Sequence, residues 1–192
     1  MATDFAFRKR AMKELPTSTG VYVLCDLDEV PIYVGQSRDG IRSRVSRHLT
    51  SARSDIIANR QIDVWEIAYV WAYPIANVED ITPTENRLYH HFNRKSKLMN
   101  GTVPPVPSKS SIPKASVKVQ VMSDKEIAER KTPEQRLPRQ ASHYAQIVGH
   151  FLAVKNSTQI AGAMDAHFQR LINYHSSLVR SAVSYADDGA ER

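Results

Sequence analysis

The chain has 192 residues, 42% of them hydrophobic and 24% charged, with a formal net charge of +6. That length suits one mid-sized domain, or a compact domain with an appended helical module, and the balance excludes collagen-like and wholly disordered classes. Cys25, the one cysteine, cannot close an internal disulfide; no apolar stretch follows Arg8, Lys9 and Arg10 as a signal peptide requires, and no apolar run nears the ~20 residues that span a bilayer. A reduced, cytoplasmic protein without membrane attachment is expected.

The first predicted element is a short helix over Phe5–Glu14. Pro16 and Gly20 then introduce Val21-Tyr22-Val23-Leu24-Cys25, a strand-forming run. An Asp26-Leu27-Asp28-Glu29 turn joins it to Ile32-Tyr33-Val34, so the two runs read as an antiparallel hairpin. Beyond Gly40, Ile41, Val45 and Leu49 recur every four residues, as one face of a helix requires. Alternation from Ile62 to Tyr73 predicts a third strand. In Thr82-Pro83-Thr84-Glu85, Thr82 suits the N-cap, Pro83 the first helical position and Glu85 the reciprocal capping position, predicting a helix to about Lys95.

Pro104, Pro105, Pro107 and Pro113 make residues 102–116 an extended wrap, and residues 124–139 read as a charged linker with a short helix starting at a Ser123 cap. From Ala141 the pattern is helical to about Ala186, with a break near Asn156-Ser157. The fold class expected is therefore α+β: a small antiparallel three-stranded sheet flanked by helices, then a C-terminal helical module. Its divisions are residues 1–101, a linker at 102–140 and helices at 141–192.

Charge is unevenly distributed. Residues 1–60 carry 10 basic and 7 acidic groups, 61–84 carry 0 and 4, 85–108 carry 4 and 1, 109–140 carry 8 and 4, and 141–192 carry 4 of each. Basic clusters favour a polyanionic partner, though a solvated basic surface would read the same.

The order of polar residues is more specific. Gly20-Val21-Tyr22 on one strand and Tyr33-Val34-Gly35 on its partner can place two phenols on one face of the sheet. Gly35-Gln36-Ser37 leads to a helix on which Arg44, Arg47 and His48 stand at i, i+3 and i+4. Glu85 begins the next helix, and Asn100-Gly101 closes the segment. In these residues, over about positions 18–101, the sequence resembles the GIY-YIG nuclease family, with Val in place of Ile in both tripeptides.

The resemblance implies a DNA endonuclease that hydrolyses phosphodiesters with a single Mg²⁺ (or Mn²⁺) ion. It implies catalytic roles for Tyr22, Tyr33, Arg44, His48, Glu85 and Asn100. Glu85 would be the metal ligand, Tyr22 the base and Arg44 the clamp on the scissile phosphate. Gly35, Gln36, Ser37, Arg42 and Arg47 would contact nucleic acid, with Arg42 or Arg47 as substitutes for Arg44. Since a free phenol with pKa near ~10 is mostly protonated at neutral pH, Tyr22 needs a neighbour that favours phenolate, and His48 is the chemically easier base.

Other readings stand beside these. The tyrosines could be a cross-strand aromatic pair, Glu85 a capping residue, and the arginines a solvated helix face. A non-catalytic DNA-binding protein and a structure-specific or RNA-directed nuclease are the alternatives. His90 and His91 diverge by about 100° on a helix and are expected to be structural, as are His143, His150, His167 and His175; Cys25 is expected to be a small buried hydrophobe. Residues Thr158–Met164 followed by Leu171, His175 and Leu178 resemble a helix-turn-helix with groove contacts at His167, Gln169, Arg170, Asn173 and His175. A helical hairpin that dimerises or packs on the first domain is the competing expectation.

Overall fold

The computed structural model describes residues 3–50, 60–108, 111–154 and 157–189. Helix α1 (Phe5–Ala11) is opened by Asp4, whose carboxylate accepts from the Phe7 amide, and it tightens into a 3-10 turn over Met12–Glu14. The expected hairpin forms from β1 (Gly20–Cys25) and β2 (Pro31–Ser37). Its turn is closed by Asp26 Oδ1, which accepts from the Asp28 and Val30 amides. Helix α2 spans Ile41–Thr50, as the four-residue period predicts.

The third strand is displaced from its expected place. Asp63 accepts from the Trp65 amide and closes Val64–Glu66 into a 3-10 turn, so β3 is Tyr69–Pro74 rather than Ile62–Tyr73. Ile62 and Ile67 enter the core from outside the sheet.

Helix α3 runs from Ile81 to Asn93. It continues a 3-10 turn at Val78–Asp80 that Asn77 already caps, so Thr82 lies inside the first turn and no capping box forms with Glu85.

The sheet has four strands in the order β2-β1-β3-β4, every neighbour antiparallel, where three were expected. The addition is β4 (Val117–Gln120), inside the stretch read as wrap and linker; residues 109–110 of that stretch lie outside the described residues. Helix α4 (Asp124–Lys131) begins at the predicted Ser123 cap. Pro133 then opens α5 (Pro133–Ala153), which carries Pro138 within it.

The C-terminal segment is not a helix-turn-helix. It is one 32-residue helix, α6 (Thr158–Gly189), packed against α5. Of the expected break, Asn156 lies outside the described residues and Ser157 directly precedes α6. The hairpin of α5 and α6 packs on the sheet-bearing part of the molecule, the competing expectation.

β1 is buried along its whole length, so the sheet separates two cores. Tyr22, Leu24, Val70 and Ala72 face α1 and α2, while Val21, Val23, Cys25 and Tyr73 face α3. Among the described residues no helix is long and apolar enough to cross a membrane.

Candidate active site

Alternation along the hairpin decides which side chains meet. Tyr22 pairs with Gly35 and Leu24 with Tyr33, so Tyr22 and Tyr33 are diagonal neighbours on the face that looks toward α2. Their ring centroids are 6.3 Å apart. Gly35 makes this approach possible: a Cβ there would lie 2.5 Å from Tyr22 Oη and 2.8 Å from Tyr33 Cε1. Across from the phenols, α2 delivers His48, fully buried, whose Nε2 is 2.7 Å from Tyr22 Oη. The His48 ring is also 6.3 Å from the Tyr33 ring, so the three rings form a closed triangle. Arg44 is half-buried one turn before His48, on the same side of α2.

The other arginines separate from this group. Arg42 turns back to the end of the first helical segment, where Nε donates to Leu15 O at 2.8 Å and Nη2 to Lys13 O. Its guanidinium is thus a clasp between α2 and the N-terminal segment. Arg47 is exposed. Ser37 is buried and donates to Gly40 O at 2.8 Å, fixing the entry to α2, and Gln36 accepts from Thr82 Oγ1 at 3.2 Å, tying β2 to α3.

Beside the outer edge of β2 lies a cavity of about 500 Å³, lined among others by Tyr33, Glu85, Asn86, Tyr89 and Asn100. Tyr33 belongs to both the ring triangle and this cavity. Asn100 covers the strand edge: its Oδ1 accepts from Val34 N at 3.1 Å and its Nδ2 donates to Val34 O at 2.7 Å. Asn100 therefore positions the following loop at the cavity rather than reaching across it.

Glu85 comes from the opposite side, on α3. Burial pushes its carboxyl up to about 7, because a charge at this wall is poorly solvated. A cation in the cavity would relieve that penalty. Among the described residues no three or more His, Cys, Asp or Glu side chains converge on a metal, and Glu85 is the one carboxylate among the described lining residues. A single carboxylate with open positions for water and phosphate is a donor set that Mg²⁺ accepts, so the residues present fit such an ion.

Several lining residues escape sequence reasoning. Asn86 and Tyr89 follow Glu85 at helical spacing, and Tyr89 stands at i+4 on its face, a signal available in the sequence. Gln61 and Gln159 also line the cavity, although 98 positions separate them, and no pattern announces their meeting. Of the suggested groove contacts, His167 and Arg170 are buried against the rest of the molecule, while Gln169, Asn173 and His175 are exposed. Compared with known proteins, the chain matches no family model, no curated protein and no solved structure.

Proposed function

We propose that the protein is a divalent-metal-dependent DNA endonuclease whose reaction centre lies where Tyr33 meets the cavity. The observation that carries this reading is the convergence of residues far apart in sequence. Tyr22, Tyr33 and His48 form one triangle, and Tyr33 shares its cavity with Glu85. The GIY-YIG resemblance of residues 18–101 supports the same reading.

Hydrolysis of a phosphodiester needs an activated water and stabilisation of the charge that develops on phosphorus-bound oxygens. Glu85 is the residue to hold Mg²⁺, which when bound would supply that positive charge. Tyr22 and His48 form the proton-accepting pair: Tyr22 Oη would take a proton from the attacking water as it gives its own to His48 Nε2, 2.7 Å away, so that no free phenolate need build up. Tyr33, lining the cavity, orients the water, and Arg44 holds the phosphate through its forked guanidinium.

Supercoiled plasmid incubated with the protein and Mg²⁺ is expected to be nicked or linearised, and EDTA to stop it. Glu85→Gln should fold normally and lose cleavage by about a hundredfold or more. Since no capping box forms at Glu85, retained cleavage in a folded Glu85→Gln protein would remove the hydrolytic reading. A second reading, DNA binding without cleavage, is favoured by one observation: Tyr22 and His48 are 1% and 0% exposed, as a structural pair would be. It predicts an intact plasmid and a mobility shift.

A further inference from the structure

The cavity beside Glu85 is larger than a metal and a phosphate need, and its chemistry is wrong for phosphate alone. No Lys or Arg lines it among the described residues. Beside the Gly101–Pro105 loop, its walls carry amides and a half-buried ring: Asn86 from α3, Gln61 from the segment before β3, Gln159 from the first turn of α6, and Tyr33 from the sheet, with Tyr89 buried behind them. Amides offer donors and acceptors together, and the Tyr33 ring offers a stacking face. That is the combination that recognises unpaired bases.

Gln61 is the telling residue. It is only 6% exposed and its side chain lines the cavity, so what remains open of it faces that space. An amide so placed offers a donor and an acceptor to whatever enters. The structure also holds it deliberately in place. His167 of α6 donates from Nε2 to Gln61 O at 3.0 Å, and His143 of α5 donates to the neighbouring Arg60 O at 3.2 Å. Gly101 closes the wall: a Cβ there would sit 2.5 Å from Gln61 Nε2 and 2.9 Å from Gln159 Cβ.

We propose that this cavity is a nucleobase subsite, which takes one unstacked base next to the scissile phosphate, so that the DNA acted on carries an unpaired or extruded nucleotide. The inference rests on the nuclease reading for the position of the phosphate, and deepens it by naming the class of substrate. Its volume, about 500 Å³, is in the range of sites that enclose a small planar ligand. The C-terminal hairpin then has a role at the site: it supplies Gln159 and fixes Gln61.

The test measures binding in EDTA, where no cleavage intervenes, of two single-stranded oligodeoxynucleotides of equal length, one with bases and one built wholly of abasic units. Both carry the same phosphates. Wild type is expected to bind the base-bearing strand roughly tenfold more tightly. Gln61→Leu, which keeps the volume and removes the amide, and Gln159→Leu, which removes the second amide from an exposed position, should each bring that ratio toward one. If Gln61→Leu does not fold by thermal melting, Gln159→Leu decides alone. Equal binding of the two strands by wild type, or a ratio that persists in the folded variants, would overturn the subsite while plasmid cleavage left the nuclease reading standing. Failure to bind either strand, together with an intact plasmid, would overturn both.

Discussion

A proton shared by two buried groups behaves differently from one held by either alone. Tyr22 Oη and His48 Nε2, 2.7 Å apart, form such a pair, and Gly35 leaves space for the ring that carries the hydroxyl. Tyr22→Phe keeps the ring and removes the oxygen. It is expected to cost about 1–3 kcal/mol in denaturant unfolding and to slow plasmid nicking by about a hundredfold. A stability loss with unchanged nicking would make the pair structural. Glu85 adds a pH dependence whose sign follows from its burial. With its carboxyl pushed up to about 7, a proton competes with any cation below that pH. Mg²⁺ affinity measured by calorimetry should therefore be about tenfold weaker near pH ~6 than near pH ~8 in wild type, and Glu85→Gln should show no comparable dependence.

Elements whose signals are local are those that sequence reading recovered. The Val21–Cys25 and Ile32–Val34 runs, the period of Ile41, Val45 and Leu49, and the Ser123 cap each specify their structure within a few residues. What was hidden depends on distant partners. Val117-Lys118-Val119-Gln120 is too short to stand as a strand alone and becomes one by pairing with β3. Thr82 does not mark the start of α3, because Asn77 caps a preceding 3-10 turn that the helix continues. In the candidate site, the tyrosines, Arg44, His48 and Glu85 were legible from order and spacing, whereas Gln61 and Gln159 meet only through the C-terminal hairpin. In α6, Gly162 stays within the helix, and Ile160, Ala163, Ala166, His167 and Arg170 make one buried stripe that continues as a single helix. His167 and His143 face each other there at 4.8 Å between ring centroids, near Asp63, Arg60 and Arg139. Burial lowers both, His167 to about 4 against an ordinary 6.5. The unfolded chain then binds more protons than the folded one between those values, so stability falls as pH drops from about 6.5 to about 4. His167→Gln retains a donor for Gln61 O and should lose about 3 kcal/mol less than wild type across that window, as read from urea midpoints at each pH.

At the scale of the whole molecule, the question is why a sheet with two cores also needs the C-terminal helices. The turn after β1 and the segment before β3 bring Asp26 and Glu66 into the interior, 2% and 4% exposed. Neither has a cation of its own nearby in sequence. Arg136 of α5 supplies one: Nε donates to Glu66 at 2.7 Å, Nη2 to Asp26 at 3.3 Å, and Nη1 to Asp28, with the Tyr174 ring 4.1 Å beneath the guanidinium. Arg170 of α6 reaches Asp26 as well, and Arg139 grips Asp63 with two bonds of 2.7 and 2.8 Å. The pairs of Arg136 with Glu66 and Asp26 and of Arg170 with Asp26 are buried, so removing one partner leaves a charge that water cannot reach. Arg136 and Arg170 thus tie both C-terminal helices to the turn after β1 and the segment before β3. Arg136→Met, which keeps the bulk and removes the charge, should cost about 3–5 kcal/mol, whereas Lys97→Ala, which breaks the exposed Lys97–Asp165 pair, should cost about 1 kcal/mol or less. Denaturant unfolding of wild type, followed separately by tryptophan fluorescence from Trp65 and Trp71 and by helical circular dichroism, should give one coincident transition. If the helical signal melted first in Arg136→Met and the tryptophan signal kept its wild-type midpoint, the sheet would be stable without its hairpin, and the fused architecture argued from Asp26 and Glu66 would fail.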